Sequence, residues 1–433
     1  MVFGVLVRQE LVGDTKAGWF SKTALFIAEL PSTLNRLLKG DALEDRFPSV
    51  AGFNGDPNSN ESYLLLSRYD GNLKEGLVEL IDLTNFKVLH TWNPDIDAIN
   101  NSVEQINEFK NLNRDLNNSR FLLRHPQLTK DGGILYKMFS PLQKIDSCSN
   151  LVFMNPEDRF HHSIELDLDG NIFVPSQKFP QSLPSRKVGQ LTGSEMGFED
   201  GFNDDSIVKL SSTGKILFEK SVSQILIDNG LEYLLFSAGR KSFEVDPIHL
   251  NDIQPVNFDG KFWRKGDVFL SLRHQSMILL YRPSTNKIIW KGTGPFFLQH
   301  DVDILDDHRI SVFNNNSKFF FNGEVVDGYN EVVIYNFETN EYYSYLKDSL
   351  EDNDVRTITQ GLSEILPNGD MIVEETNYGR TLYFNSDGSL RWHHVNRADD
   401  GNVYIVGWSR ILYSKEDIQA VNNFLNNKEA CNE

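Results

Sequence analysis

Four places along the chain put a histidine at or next to the head of a short segment of mixed apolar and polar residues. They are "RHPQLTK" (124–130), "HHSIELDL" (161–168), "HLNDIQPV" (249–256) and "QHDVDILD" (299–306), carrying His125, His161 or His162, His249 and His300. A fifth segment, "TQGLSEIL" (359–366), has Thr359 at that place. A neutral imidazole offers a lone pair for nucleophilic attack, for proton transfer near neutrality, or for a metal. One histidine at a strand end is usually a hydrogen-bonded structural residue, and His90, His308, His393 and His394 are read that way. Packing gives no reason to repeat an imidazole in register, so the four together point to a shared polar site. His125, followed by Pro126, also fits a plain turn. Imidazoles with a carboxylate suit Zn or Fe, but the tight helical spacing that makes metal motifs specific is missing, and no metal is expected.

The elements that hold these segments repeat as well. An apolar strand, a short polar turn and a second strand recur at 78–92, 142–153, 207–220, 278–291, 332–346 and 381–393. Thr, Ser, Asn, Asp and Gly supply the turns, and β-branched and aromatic residues flank them. A further strand precedes each copy, at 63–70, 131–138, 169–177, 266–273, 307–315 and 368–375. With the histidine-headed segments this makes modules of about four strands, so the expected fold is all-β, a six-bladed β-propeller with peripheral helical insertions. The first strand of each blade lines the central channel, which brings the histidines to one mouth. "NVYIVGWSRILY" (402–413) is expected to complete the first blade and leave no free edge.

Insertions interrupt this pattern. Val103, Ile106, Phe109, Leu112 and Leu116 predict an amphipathic helix, 17–31 predicts another that stops at Pro31, and 178–205 reads as a long loop. Ser414 and Asp417 form a capping box ahead of Ile418, Val421, Phe424 and Leu425. The expected division is 1–47 as a helical or extended segment on or near the propeller, 48–413 as the propeller, and 414–433 as a C-terminal helix. The chain has 61 acidic against 42 basic residues, a formal charge of −19, which speaks against nucleic acid and anionic membranes as partners. Two cysteines, Cys148 and Cys431, make neither a disulfide scaffold nor a cysteine zinc site. The opening "MVFGVLVRQE" is too short to span a bilayer and shows no signal-peptide cleavage site. It reads as a first strand or as the end of an anchor that would associate the chain with a membrane.

Three segments taken together resemble one family: "HLND" (249–252), "GDVFLSLR" (266–273) and "TNKIIWKGTGPFFLQHD" (285–301) followed by "ISVFNN" (310–315). "HHSIELDLDGN" (161–171) is a further echo. The ordered set His-x-Asn, Ser-Leu-Arg, Gly-Pro-Phe and Gln-His-Asp is similar to that of the bacterial arylsulfotransferases, aryl-sulfate sulfotransferases that need no nucleotide donor. The similarity is clearest over 246–316 and extends at repeat level over 60–395. It implies a six-bladed propeller, in agreement with the strand count. It implies that His300 carries the sulfuryl group covalently, with His249, Asn251 and Arg273 as catalytic partners. It adds a histidine from an earlier blade. His162 is chosen because it precedes Gly170 by the same spacing that separates His300 from His308. His161, and by symmetry His125 and Thr359, stand as substrate-binding candidates. The resemblance further implies an aryl sulfate donor, a phenolic acceptor, no cofactor, and a periplasmic or extracytoplasmic location.

Other readings stay open at this point. A propeller can serve as a non-catalytic binding or assembly module. A metal-dependent hydrolase would need three or more of the histidines on one ion. Turns such as "STNKIIW" and "SDGSLRW" bear only a shallow likeness to quinone-cofactor and sialidase propellers. Tyr233, Tyr281 and Tyr378 are available to hold a phenol.

Overall fold

The computed structural model describes residues 2–11, 18–20, 23–24, 27, 42–101, 117–156, 159–178, 180–183, 202–237, 244–320 and 323–427. The expected helix over 103–116 and most of the loop at 178–205 lie outside these residues. The chain divides into two compact units, Met1–Glu44 and Asp45–Glu433. In the first unit the opening apolar run is a helix, Val2–Leu11, not a strand. An apolar stretch of that length fits either element, and periodicity alone does not decide between them. Of the helix expected over 17–31, Trp19–Phe20, Thr23–Ala24 and Ile27 are helical, and the Thr23 hydroxyl donates to the Trp19 carbonyl as a helical turn requires. No helix among the described residues is long and apolar enough to cross a membrane.

The second unit is a six-bladed β-propeller. Blade 1 runs Arg410–Leu412, Tyr63–Asp70, Glu75–Asp82 and Lys87–Trp92 from the axis outward. Blade 2 is Arg124–Leu128, Ile134–Lys137, Leu142–Ile145 and Leu151–Asn155. Blade 3 is Glu165–Leu166, Ile172–Gln177, Asp205–Leu210 and Ile216–Ser221, with Arg159–Phe160 also paired to its second strand. Blade 4 is Leu250–Pro255, Val268–Leu272, Met277–Arg282 and Lys287–Thr293. Blade 5 is His300–Ile304, Arg309–Asn314, Glu331–Asn336 and Glu341–Tyr345. Blade 6 is Leu362–Ile365, Met371–Glu375, Arg380–Phe384 and Leu390–Val395.

The recurring cassette of the sequence is the outer hairpin of every blade, and the turn chemistry explains why it recurs. Asp82 accepts the Thr84 amide and Asn336 the Glu338 amide, each within its own turn. The ring closes twice. Arg410–Leu412 supplies the innermost strand of blade 1, as expected, and Gly52–Gly55 adds a fifth strand outside blade 6. A second feature absent from the repeat is a hairpin inserted in blade 5, Ser317–Phe320 paired with Gly323–Val326.

Between blades the core is apolar and aromatic. Trp263, Phe269, Phe296 and Val302 bury together with Leu280 where blade 4 meets blade 5. The C-terminal helix Lys415–Asn427 buries Val421 and Phe424 beside Trp92 and Tyr136. Cys148 is disulfide-bonded, and Cys431, the chain's other cysteine, lies outside the described residues. Near the axis the blades are tied by side chains instead. The Asp205 carboxylate accepts the Leu250 amide at 2.7 Å, Asp252 accepts that of Val302 at 2.8 Å, and Asp301 that of Ser363 at 2.8 Å. Each carboxylate thus satisfies a buried N–H of the next inner strand, which fixes the height at which its first residues emerge.

Candidate active site

The inner strands open with an unusual backbone. His125, His162, His249, Gln360 and Trp408 have φ of 48°, 55°, 53°, 58° and 60°. Left-handed backbone is uncommon for residues other than glycine and is retained where the surroundings impose it. In blade 5 two residues at the strand head have this conformation, Leu298 at φ 50° and Asp301 at φ 52°, with His300 between them. In the last module the residue with this conformation is Gln360, next to Thr359.

These strand heads bring the histidines together. The His162 ring centroid lies 4.9 Å from that of His249 and 6.2 Å from that of His300. Trp408 stands among them, 6.3 Å from His162, 5.9 Å from His300 and 5.4 Å from His125. Three of the imidazoles have Nδ1 taken by a neighbour. His249 Nδ1 donates to Asp246 Oδ2 at 2.6 Å, and His300 Nδ1 meets Asn315 Oδ1 at 2.7 Å. His162 Nδ1 and His161 Nδ1 are 2.8 Å apart, while His161 Nε2 lies 3.4 Å from Asp205 Oδ1. The nearby carboxylate favours a proton on His161 Nε2, so that His161 Nδ1 accepts from His162. This pattern assigns the tautomers and leaves Nε2 of His162, His249 and His300 as the reactive nitrogens. His300 Nε2 also accepts the Gln360 amide at a long 3.2 Å. Gly361 allows this approach, with φ +85° and no room for a Cβ, which would sit 2.6 Å from both Phe313 and Thr357.

Arg273 closes one side. Its NH2 donates to Glu324 Oε1 at 2.5 Å, its NH1 lies 2.9 Å from His274 Nε2, and its buried Nε has no acceptor. Asn251 is fully buried, donates to the Gln299 carbonyl at 2.7 Å, and leaves Oδ1 without a partner. Trp408 Nε1 is a further buried donor without an acceptor. A pocket of about 320 Å³ opens on this region, walled by His161, His162, His249, Asp246, Phe160 and Arg159, among others. His300 sits behind that wall, 1% exposed. A pocket of about 310 Å³ around Asn58, Asp370 and Tyr383 contains none of the histidines.

Burial decides the protonation of this centre. Desolvation, reinforced by Arg273, holds His300 well below the ordinary imidazole range. Desolvation and the neighbouring His249 and His161 do the same to His162. Burial pushes the Asp246 carboxyl up, but the hydrogen bond and charge of His249 outweigh it and hold Asp246 below its usual value. Further along the inner strands the channel turns acidic. Burial, with Glu165, pushes Asp252 up to about 7, and burial pushes Glu364 up to about 7. Asp301 is raised well above the usual range by burial and by Asp252, and Asp303 by burial and by Asp301. Three residues of strand separate His300 from Asp303, roughly 10 Å along the axis.

The remaining sequence candidates fall as follows. His125 is engaged between blades: Nδ1 accepts the Ile164 amide at 3.0 Å, and Nε2 lies 3.4 Å from Glu165 beside Arg410. The Thr359 amide donates to Asn377 at 2.9 Å, and it is the next residue, Gln360, whose amide meets His300. Tyr281 is buried in the blade and donates to Asn286, and Tyr378 lies under the Arg46 guanidinium. Sequence reading missed Asp246, His274, Asn315, Glu324 and Trp408. Three of them left a signal: Asp246 lies three residues before His249, His274 directly follows Arg273, and Asn315 ends the segment 310–315; Glu324 and Trp408 arrive from elsewhere in the fold. It also missed Lys137, fully buried, whose Nζ donates to the His162 carbonyl. Asp246, His249 and His274 are close enough to hold one ion. However, His274 Nδ1 is bonded to the Asp246 carbonyl at 2.6 Å and a guanidinium lies against its other nitrogen, a charge that repels a cation and attracts an anion. Asp306, Asp307 and His308 form a similar set on an outer turn.

Among curated proteins none matches this sequence. Solved structures that are similar include a protein of unknown function from Bacteroides caccae, at 12% identity over 82% of this chain and 100% of that one, with TM-score 0.49. A streptogramin B lyase is 10% identical over 83% of this chain and 96% of its own, with TM-score 0.38. Virginiamycin B lyase from Staphylococcus aureus is 10% identical over 79% and 87%, with TM-score 0.36. The model of the arylsulfotransferase (ASST) family matches residues 125–397, blades 2 to 6 with all the histidines of the mouth. The chain belongs to the arylsulfotransferase family.

Proposed function

We propose that this chain moves a sulfuryl group from an aryl sulfate to a phenol without a nucleotide donor, and that His300 Nε2 carries the group between them. The observation that carries the reading is the trio His162, His249 and His300, each oriented through Nδ1 with Nε2 left for chemistry. In the first half-reaction the His300 lone pair attacks sulfur while the bond from sulfur to the aryl oxygen breaks. The phenolate leaves with the electron pair, and the N-sulfoimidazolium keeps its Nδ1–H on Asn315. The unsatisfied N–H groups of Arg273 and Trp408 are donors for the sulfuryl oxygens, whose charge is spread in the transition state. His249 enters the first half-reaction as an imidazolium paired with Asp246 and gives its Nε2 proton to the leaving oxygen, which leaves the neutral ring. In the second half it takes the proton of the incoming phenol, whose oxygen attacks sulfur as the N–S bond breaks. Burial supports this by keeping His300 unprotonated at neutral pH. The long contact to the Gln360 amide is the one that substrate displaces.

One observation favours a second reading of the carrier: His162 and His249 line the pocket, whereas His300 lies behind it. The test is 4-nitrophenyl sulfate with and without phenol. Without acceptor, a burst of nitrophenolate equal to the enzyme concentration is expected, and with phenol, ping-pong kinetics and phenyl sulfate. A burst that survives in His300→Ala but not in His249→Ala moves the carrier to His249. No turnover on any of a panel of aryl sulfates sinks the reading and leaves a binding module.

A further inference from the structure

The hairpin inserted in blade 5 reaches Arg273 of blade 4. Glu324 Oε1 lies 2.5 Å from Arg273 NH2, with only 17% and 6% of the two side chains exposed. Salt screens such a pair weakly. His274 takes NH1, and the Arg273 Nε–H has no acceptor. The guanidinium therefore still has hydrogen bonds to offer, while its charge is already balanced by a carboxylate. Asp246 and Asp205 on the pocket wall add further negative charge, and Arg159 on the same wall adds one positive charge. An anion seated at Arg273 thus finds donors but little surplus positive potential. A monoanionic tetrahedral group loses little by this. A dianionic one meets the Glu324 carboxylate at short range, where one further unit of charge changes binding by about tenfold or more.

We infer that Glu324 is a specificity-determining residue, which makes the Arg273 seat select monoanionic sulfuryl or sulfonyl groups over dianionic phosphoryl groups. The inference rests on the reading of Arg273 as the group that holds the sulfuryl oxygens. It does not require that transfer occur.

The experiment is calorimetric titration of the whole chain with two unreactive probes, benzenesulfonate and phenylphosphonate, at mildly alkaline pH where the phosphonate is a dianion. The wild type should bind the sulfonate about tenfold more tightly or better. Glu324→Gln should shrink that ratio about tenfold, chiefly by strengthening the phosphonate. Glu324→Asp, which keeps the charge, should retain it and guards against a simple loss of the hairpin. An unchanged ratio in Glu324→Gln overturns the inference. So does a parallel weakening of both probes, which would make Glu324 only a clamp on Arg273. If neither probe binds the wild type, Arg273 is no anion seat and the inference falls with it. Selective binding without any sulfuryl transfer upholds the inference and counts against the transfer reading alone.

Discussion

His300 and His249 both pack against His162, yet different groups answer their Nδ1 atoms. His300 has the Asn315 amide at 2.7 Å, and His249 has the Asp246 carboxylate at 2.6 Å. An amide oxygen accepts a hydrogen bond but carries no charge to stabilise an imidazolium, and His300 is also buried beside Arg273. A carboxylate stabilises the imidazolium and fixes its ring. Side by side, the same side chain meets two surroundings, a buried amide at His300 and a carboxylate at His249, and the proposed transfer assigns the first to attack and the second to proton transfer. The carboxylates along the channel show the same physics with the opposite sign, since burial there keeps Asp252 and Glu364 protonated up to about pH 7.

The comparison can be broken in order of expected effect. His300→Ala should remove the nitrophenolate burst and lower turnover by about 10⁴-fold or more, because the proposed carrier is then missing. Asp246→Asn should slow transfer from phenyl sulfate by about 10²-fold while leaving 4-nitrophenyl sulfate nearly untouched, since nitrophenolate leaves without a proton. The ratio of kcat/KM for the two donors reads this directly. Asn315→Asp puts a carboxylate on the nucleophile and raises its affinity for protons. The burst rate at neutral pH should fall about tenfold and recover as pH rises. A variant as fast as wild type at neutral pH would mean that the amide is not what keeps His300 reactive.

The smallest effect is on stability, and its sign follows from the direction of each shift. His125, His162 and His300 are held well below the ordinary imidazole value. Above about pH 6.5 they are neutral folded or unfolded, and below it the unfolded chain takes up protons that the folded chain refuses, so stability falls with pH. Glu364, raised to about 7, works the other way: its contribution is present in acid and lost as pH rises through about 7. Glu364→Gln should therefore gain about 2 kcal/mol over wild type above about pH 8 and little near pH 4, as read from denaturant midpoints. An equal gain at both pH values would place the benefit in packing and not in the proton.

The outer hairpins were legible because their turns are local. Asp82 and Asn336 bond within their own turns, so each blade repeats a visible cassette. The inner strands were harder, because they line a polar channel and carry Glu165, Asp252, Asp301 and Glu364 where an apolar pattern is looked for. Gly52–Gly55 is too short and glycine-rich to read as a strand. Of the candidate site, His162, His249, His300, Asn251 and Arg273 were named from repetition and resemblance. The groups that tune them were not, because Asn315, Glu324 and Trp408 owe their position to tertiary packing.

The most direct measurement is to mix the protein with 4-nitrophenyl sulfate, quench in alkali within one turnover, digest, and locate the sulfuryl group by mass spectrometry. The account predicts one sulfuryl group per chain, on the peptide bearing His300, discharged when phenol is added before the quench. A stoichiometric adduct on the peptide of His249 or His162 would contradict it, and so would product formation with no protein-bound sulfuryl group at any time.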